Sequence, residues 1–206
     1  DNTAEHLLVR QDFRPVIKRD DKAYAHIDIL GTGALAHSLC ALTSQLCHYP
    51  DYADGRQRRT LITVAGEGMR NWHDTFVASK RACFELSRYS YIGPDGQKEH
   101  HEPDPLYGDF LDVEWQFLDA GPGHPLLEEQ MRVWSGEQDA GRQQLRMVVC
   151  YDSQDDAERT LLCLPSYMMS CLKAIYVSQN PALLKTAIAS GQFGPILLFG
   201  PGTDTY

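Results

Sequence analysis

The sequence is short of positive charge. Its 206 residues include 19 Lys and Arg against 28 Asp and Glu, which gives a formal net charge of −9. A nucleic-acid-binding surface must neutralise phosphates with Lys and Arg, so this balance argues against such a partner. It argues equally against docking on an anionic membrane surface. No apolar run approaches the roughly 18 residues that a membrane-spanning helix needs, so we expect no direct membrane insertion.

Paired cysteines are also missing. The chain has six cysteines, but none forms a CxxC pair, so zinc-ribbon spacing is absent. Cys40, Cys83, Cys150 and Cys163 lie in apolar runs, where a free thiol behaves as a small buried hydrophobe. We therefore expect reduced thiols and a cytoplasmic protein.

Several catalytic signatures are absent as well. The sequence has no GxxxxGK[ST] loop, no GxSxG turn and no HxxxH pair. Tyr167 is followed four residues later by Cys171, so the YxxxK pair of short-chain dehydrogenases is missing. His100 and His101 are adjacent, and on an extended chain their side chains point to opposite faces, which disfavours a metal site. These patterns favour a binding protein over an enzyme and predict no metal.

What the sequence does contain is an alternation of predicted strands and helices. The apolar, β-rich runs are residues 26–30, 60–65, 111–118, 145–151, 172–177 and 195–200. Between them, helical patterns cover 35–46, 70–88, 125–134, 155–162 and 181–189, with a polar connector at 135–142. This alternation predicts an α/β fold with a doubly wound parallel sheet in three Rossmann-like layers. We expect residues 1–24 to form an N-terminal arm and 25–206 to form the domain.

One segment interrupts this alternation. The stretch 89–92 is β-rich and runs into Gly93-Pro94-Asp95-Gly96, a turn sequence with Pro at its second position. A polar stretch follows at 97–109. The pattern predicts a hairpin or loop inserted around 89–109.

The motif with the clearest chemical meaning follows the first strand. Gly31-Thr32-Gly33-Ala34-Leu35-Ala36 matches GxGxxA and opens an amphipathic helix, the context in which this spacing binds a dinucleotide. Gly31 permits a tight turn, Gly33 admits a pyrophosphate, and Ala36 allows close packing of helix and strand. The helix N-terminus offers free N–H groups to the phosphates. A tight turn without a ligand is the alternative interpretation.

An acid at the end of the second strand extends the pattern. Glu67 lies where a carboxylate binds the ribose hydroxyls of NAD, although it is further from the glycines than the usual ~20 residues. The loop 48–59 accounts for the excess. Such a carboxylate favours NAD over NADP, whereas nearby Arg70 leaves NADP open. Glu67 could also be a solvated turn residue.

Several segments carry a family resemblance: the first strand with GTGALA, VEWQFLDAG, HPLLEEQ and MVVCYDSQDDAERTLLCLP. Together they resemble the nucleotide-binding domains of potassium-transport regulators, the Trk-type or regulator-of-K+-conductance family. The resemblance covers about residues 25–200. It implies that Asp119 lies near an adenine and that Tyr151 and Asp152 border the nucleotide. It also implies an NAD-binding, regulatory domain that pairs as a homo-oligomer or with a transport partner. Asp119 and Asp152 could instead be a helix-cap acid and a turn former.

Three functions are consistent with these patterns. The first is a regulatory domain that binds NAD(H) or a related adenine nucleotide, with NADP, ADP and AMP as possible ligands. The second is an NAD(P)-dependent oxidoreductase in which the insertion at 89–109 covers a small substrate. The third is a degenerate module that acts only in protein assembly.

Overall fold

A computed structural model describes residues 2–10, 12–49, 59–107, 111–179 and 182–203. The strands in these ranges are β1 Tyr24–Leu30, β2 Thr60–Gly66, β3 Arg88–Ile92, β4 Lys98–His101, β5 Val113–Asp119, β6 Gln143–Val149, β7 Leu172–Tyr176 and β8 Leu197–Phe199. The α-helices are α1 Asn2–Leu8, α2 Ala34–Leu46, α3 Met69–Ser79, α4 Arg81–Glu85, α5 Pro125–Asp139, α6 Gln154–Cys163 and α7 Ala182–Ala189.

All eight strands belong to one sheet, in the order β4-β3-β5-β2-β1-β6-β7-β8. The pairs are parallel except for β3 with β4, the hairpin. From β1 the chain first builds outward to β2 and then returns to add β6 on the other side of β1. The sheet is therefore wound in both directions from β1, as predicted, and the arrangement is compatible with a Rossmann-like fold.

The hairpin prediction is confirmed, and the structure shows where the hairpin lies. β3 joins the sheet as a parallel neighbour of β5, and β4 pairs with β3 at the edge. The polar stretch predicted as loop after residue 97 begins with β4, which is exposed along most of its length. Such polar residues suit an edge strand, because one side of that strand faces solvent.

Two predicted helix boundaries were wrong. The helix predicted over 70–88 is two helices: α3 ends at Ser79 and α4 begins at Arg81, with Lys80 as the cap between them and Phe84 buried. The connector predicted at 135–142 is mostly the end of α5, which continues to Asp139. Its polar residues form side-chain bonds beyond the helix: Gln138 accepts from the Leu145 N–H, and Arg142 donates to Glu137.

The buried residues form one cluster on each face of the sheet. The first contains residues of α1, α2, α3 and α4, and the second contains residues of α5, α6 and α7. The central strand β1 is buried on both faces, so Ile27 and Ile29 belong to the first cluster and Leu30 to the second. Helices on both faces give three layers.

The N-terminal segment is part of the first cluster. Ala4, Leu7, Leu8 and Phe13 are buried there, and α1 packs on α2. The predicted arm therefore packs on the domain that follows it in the sequence.

The cysteines are all free thiols. Cys40 and Cys150 are buried, as their apolar neighbours predict, but Cys83 and Cys163 are exposed. Cys83 is the central residue of α4 and Cys163 is the last residue of α6, and on a helix the apolar neighbours of a residue in sequence point to a different face. None of the helices in the described ranges is both long and apolar enough to cross a membrane.

Candidate functional site

The carboxyl ends of β1, β2, β5 and β6 lie side by side in the sheet, and the loops that follow them contain or adjoin every predicted site residue. In an open parallel sheet wound in both directions, this edge beside the first strand is where ligands bind. The helix after β1 covers one face and the helix after β6 covers the other, so the loops that lead into these helices adjoin at this edge.

Gly31 is required by the packing of β1 against β6. Its φ of 143° lies in a region that favours glycine, and a Cβ there would come 2.6 Å from the Cys150 carbonyl oxygen. Its N–H donates to the Ala65 carbonyl, and the Cys150 N–H donates to the Leu30 carbonyl. The fold alone accounts for this glycine, independently of any ligand.

Gly33 is in a different position. It is the N-cap of α2, with extended backbone and no side-chain cap. A Cβ on Gly33 would overlap the carboxylate of Asp152, an exposed side chain in the loop after β6. The Asp152 carboxylate therefore lies beside Gly33, where the GxGxxA motif would admit a pyrophosphate.

The other residues of the turn divide between surface and core. Thr32 and Ala34 are partly or fully accessible at the edge, whereas Leu35 and Ala36, in the first turn of α2, are buried in the first cluster. Ala36 is fully buried, which fits the packing role predicted for it. The Thr32 methyl group would lie 2.5 Å from a Cβ on Gly66, so the turn after β1 closely approaches the end of β2.

Glu67 directly follows β2 and is exposed. Its Cβ would lie 3.2 Å from a Cβ on Gly121, so the loop after β5 passes close beside it. Gly68, the next residue, has a φ of 69° and is the N-cap of α3. This places the Glu67 carboxylate at the edge of the sheet, one strand away from the glycine turn.

Asp119 ends β5 and is almost completely buried. One carboxylate oxygen accepts from the Gly68 N–H at 2.9 Å, and the other accepts from the Tyr91 hydroxyl at 2.9 Å. Burial, followed by this hydrogen bond, raises the pKa of Tyr91 to about 12. Both oxygens of Asp119 therefore hold neighbouring parts of the chain, the loop after β2 and the strand β3.

Tyr151 and Asp152 follow β6 but point in different directions. Tyr151 is buried in the second cluster, and burial raises the pKa of its hydroxyl. Asp152 is exposed beside Gly33. Of this pair, Asp152 is the one whose side chain reaches the glycine turn.

Sequence reasoning missed the contacts made by the hairpin. The Arg70 guanidinium donates to both carboxylate oxygens of Glu99 on β4, and it lies 3.7 Å from the centre of the Tyr91 ring. Arg70 and Glu99 are 29 residues apart, and no local pattern links them. Only the position of the hairpin beside β5 brings them together.

Asp28 is the second missed residue, and the sequence did contain a signal for it. It is an acid inside the apolar run HIDIL, and it is fully buried on the face of β1 that carries α5 and α6. Within the described part of the chain, neither of its carboxylate oxygens has a hydrogen-bond partner. Burial raises its pKa well above the ordinary value, so the acid is biased towards its neutral form.

The adjacent histidines of β4 have separate partners. His100 lies 2.6 Å from a Glu102 carboxylate oxygen, and His101 donates to the Ser87 carbonyl. Over the described ranges, no group of three or more His, Cys, Asp or Glu side chains is arranged to hold a metal ion.

Comparisons with protein-family models, with characterised protein sequences and with solved structures give no match for this chain.

Proposed function

We propose that this chain binds NAD(H), or a related adenine nucleotide, between the β1–α2 and β6–α6 loops, and that it acts as a regulatory domain. The observation that carries the proposal is the position of the glycine turn. GTGALA follows the central strand of a sheet wound in both directions from that strand, which is the Rossmann-like context for this motif.

The chemistry at the start of α2 supports a bound phosphate. The helix has 13 residues, its N-cap is Gly33 with no side-chain cap, and its first turn carries no acid. The first N–H groups of such a helix have no partner within the helix, and its dipole favours a negative charge there. Glu67, exposed at the end of the neighbouring strand, is suitably placed to accept hydrogen bonds from ribose hydroxyls.

Asp152 gives the proposed site a means of responding to its ligand. Its carboxylate lies against Gly33, so a diphosphate bound at α2 would meet a like charge and displace that side chain. The displacement would move the loop that leads into α6. A ligand that favours one of two loop arrangements shifts the population between them, and a partner that contacts α6 would sense the shift.

The remaining parts of the proposal follow from the resemblance to potassium-transport regulators. We infer that the domain pairs with a second copy or with a transport or multidomain partner, and that nucleotide occupancy alters this pairing. Light scattering of the chain with and without NADH would test the pairing directly.

Calorimetric titration with NAD+, NADH, NADPH, ADP and AMP tests the binding itself. We expect the wild-type chain to bind at least one of these, and Asp152→Asn to bind the same ligand about fivefold more tightly, because one nearby negative charge is removed. Gly33→Asp should lose binding, because it places a second carboxylate at the phosphate position.

Asp155→Asn is the matched control. It makes the same charge change in the exposed first turn of α6, three residues after Asp152. Its carboxylate is not among the atoms nearest to Gly33, so it should change affinity much less. If neither the wild-type chain nor Asp152→Asn binds any of the five ligands, the nucleotide proposal is wrong, and an assembly module becomes the better interpretation.

A further inference from the structure

The inserted hairpin binds Arg70, a cation in the first turn of α3. Two Arg70 nitrogens donate to the two Glu99 oxygens, at 3.0 and 2.6 Å. The guanidinium also stacks on the Tyr91 ring, whose hydroxyl is fixed by Asp119. The Glu99 carboxylate raises the pKa of Arg70, and Arg70 lowers that of Glu99. Tyr91 of β3 and Glu99 of β4 therefore hold the Arg70 side chain of α3 in one position.

Arg70 is also close in sequence to Glu67, the proposed ribose ligand. Arg70 follows Glu67 by three residues, in the first turn of α3. In a Rossmann-like site, an acid at the end of the second strand binds the 2′-hydroxyl of the adenosine ribose, and an arginine nearby accommodates a 2′-phosphate. A free guanidinium in the first turn of α3, on a side chain long enough to turn towards the end of β2, would therefore favour a 2′-phosphorylated nucleotide.

Arg70 is not free in this structure. Its two terminal nitrogens face Glu99, so a 2′-phosphate would have to displace a carboxylate that already binds the guanidinium in bidentate fashion. Glu99 would also repel that phosphate, adding to the repulsion from Glu67. The pair is partly exposed, with 46% of the Arg70 side chain and 64% of the Glu99 side chain accessible, so we expect a bias between ligands rather than a complete exclusion.

We propose that Glu99, a residue of the inserted hairpin, sets the preference of this site for NAD(H) over NADP(H) by occupying Arg70. This inference rests on the proposed nucleotide site. It assigns the hairpin a role in ligand selection: the hairpin supplies the carboxylate that masks the only cation in the first turn of α3.

The test compares NADH with NADPH by calorimetric titration of the wild-type chain and of Glu99→Gln. The amide keeps the size of the side chain but loses the charge, so Arg70 becomes available to the 2′-phosphate. We expect wild type to bind NADH at least tenfold more tightly than NADPH. In Glu99→Gln, affinity for NADPH should rise about tenfold while affinity for NADH stays within twofold.

Two further variants separate the mechanism from a general charge effect. Glu102→Gln removes an equal charge just beyond β4, where the carboxylate lies 2.9 Å from Arg88, and should change neither affinity. The double variant Arg70→Ala/Glu99→Gln should lose the gain for NADPH, because the cation itself is gone. A gain that persists in the double variant would contradict the role of Arg70.

The two proposals fail differently. If wild type binds NADH but does not discriminate against NADPH, or if Glu99→Gln leaves the ratio unchanged, the role of Glu99 is wrong and the nucleotide site stands. If no variant binds NADH or NADPH, the selection role is wrong, whereas the proposed function is wrong only if NAD+, ADP and AMP also fail to bind.

Discussion

His26 and Asp28 lie two residues apart on the same face of β1, and both are fully buried, but only His26 has hydrogen-bond partners. His26 Nδ1 donates to the side-chain amide oxygen Oε1 of Gln143 at 3.0 Å, its Nε2 lies 2.8 Å from the Thr63 hydroxyl, and its ring contacts Trp134 edge to face. The amino half of β1 thus satisfies its buried polar group, whereas the carboxyl half, which leads into the glycine turn, does not.

This difference shows where the sheet is optimised for stability. A buried polar group with partners adds modestly to stability, whereas one without partners retains its full desolvation cost. The cost at Asp28 falls two residues before the end of the strand that carries the proposed site. Natural proteins concentrate such exceptions at functional sites, which makes Asp28 consistent with the proposal, although the proposal does not depend on it.

The largest expected effect on stability comes from removing His26, the buried polar group that has hydrogen-bond partners. His26→Ala leaves a cavity beside Trp134 and strands the Gln143 and Thr63 side chains, so we expect a loss of about 3–4 kcal/mol in the free energy of unfolding. Urea denaturation at pH 7.5 measures it. His26→Gln, which retains hydrogen-bonding capacity, should cost clearly less. A loss below about 1 kcal/mol for His26→Ala would show that the polar contacts of the amino half contribute little.

The second effect is the response of His26 to acid. Burial lowers its pKa to about 4, so the unfolded chain binds a proton at a higher pH than the folded chain does. The contribution of neutral His26 to the free energy of unfolding is therefore complete above pH ~6.5. It falls by about 2–3 kcal/mol as the pH falls towards 4. Urea unfolding at pH 7.5, 6, 5 and 4.5 should show the decline.

The control for that decline is His26→Gln, which cannot titrate and should lose this part of the pH dependence. His6→Gln, at an exposed position of α1, should keep it. Equal slopes for wild type and His26→Gln between pH 6.5 and 4.5 would contradict the assignment.

The smallest effect has the opposite sign. The raised pKa of Asp28 means that the folded chain holds a proton that the unfolded chain releases above pH ~4, so Asp28 lowers stability as pH rises. Asp28→Asn removes the charge but keeps the shape, so the variant should be more stable than wild type by about 2 kcal/mol at pH 8, with a smaller difference at pH 5. If the difference in stability does not grow with pH, Asp28 is not the group whose ionisation lowers stability.

Much of the fold was predictable because it depends on local patterns. Apolar β-rich runs bounded by glycine became strands, and the stripe from Leu35 to Leu46 became α2. The errors came where polar residues take their structure from distant partners. The end of α5 bonds to Leu145 at the start of the next strand, and the polar strand β4 pairs with β3.

The candidate site was predictable in its position but not in its contacts. Its residues follow strands whose carboxyl ends meet at one edge, so their proximity follows from the predicted parallel sheet. That Gly33 faces Asp152, or that Asp119 holds Gly68 and Tyr91, depends on side-chain packing between segments that are about 30 to 120 residues apart. Hydrophobic periodicity and composition carry no information about which of these residues are in contact.

The sequence by itself determined the alternation of strands and helices, the glycine turn after the central strand and the acid after the second strand, because each depends on neighbours within a few residues. The tertiary structure alone decided that Gly31 serves the packing of β1 on β6, that Asp152 occupies the space beside Gly33, and that the hairpin brings Glu99 to Arg70. The physical reason is that steric fit and charge pairing act across space, between segments whose separation along the chain sets no rule for their contact.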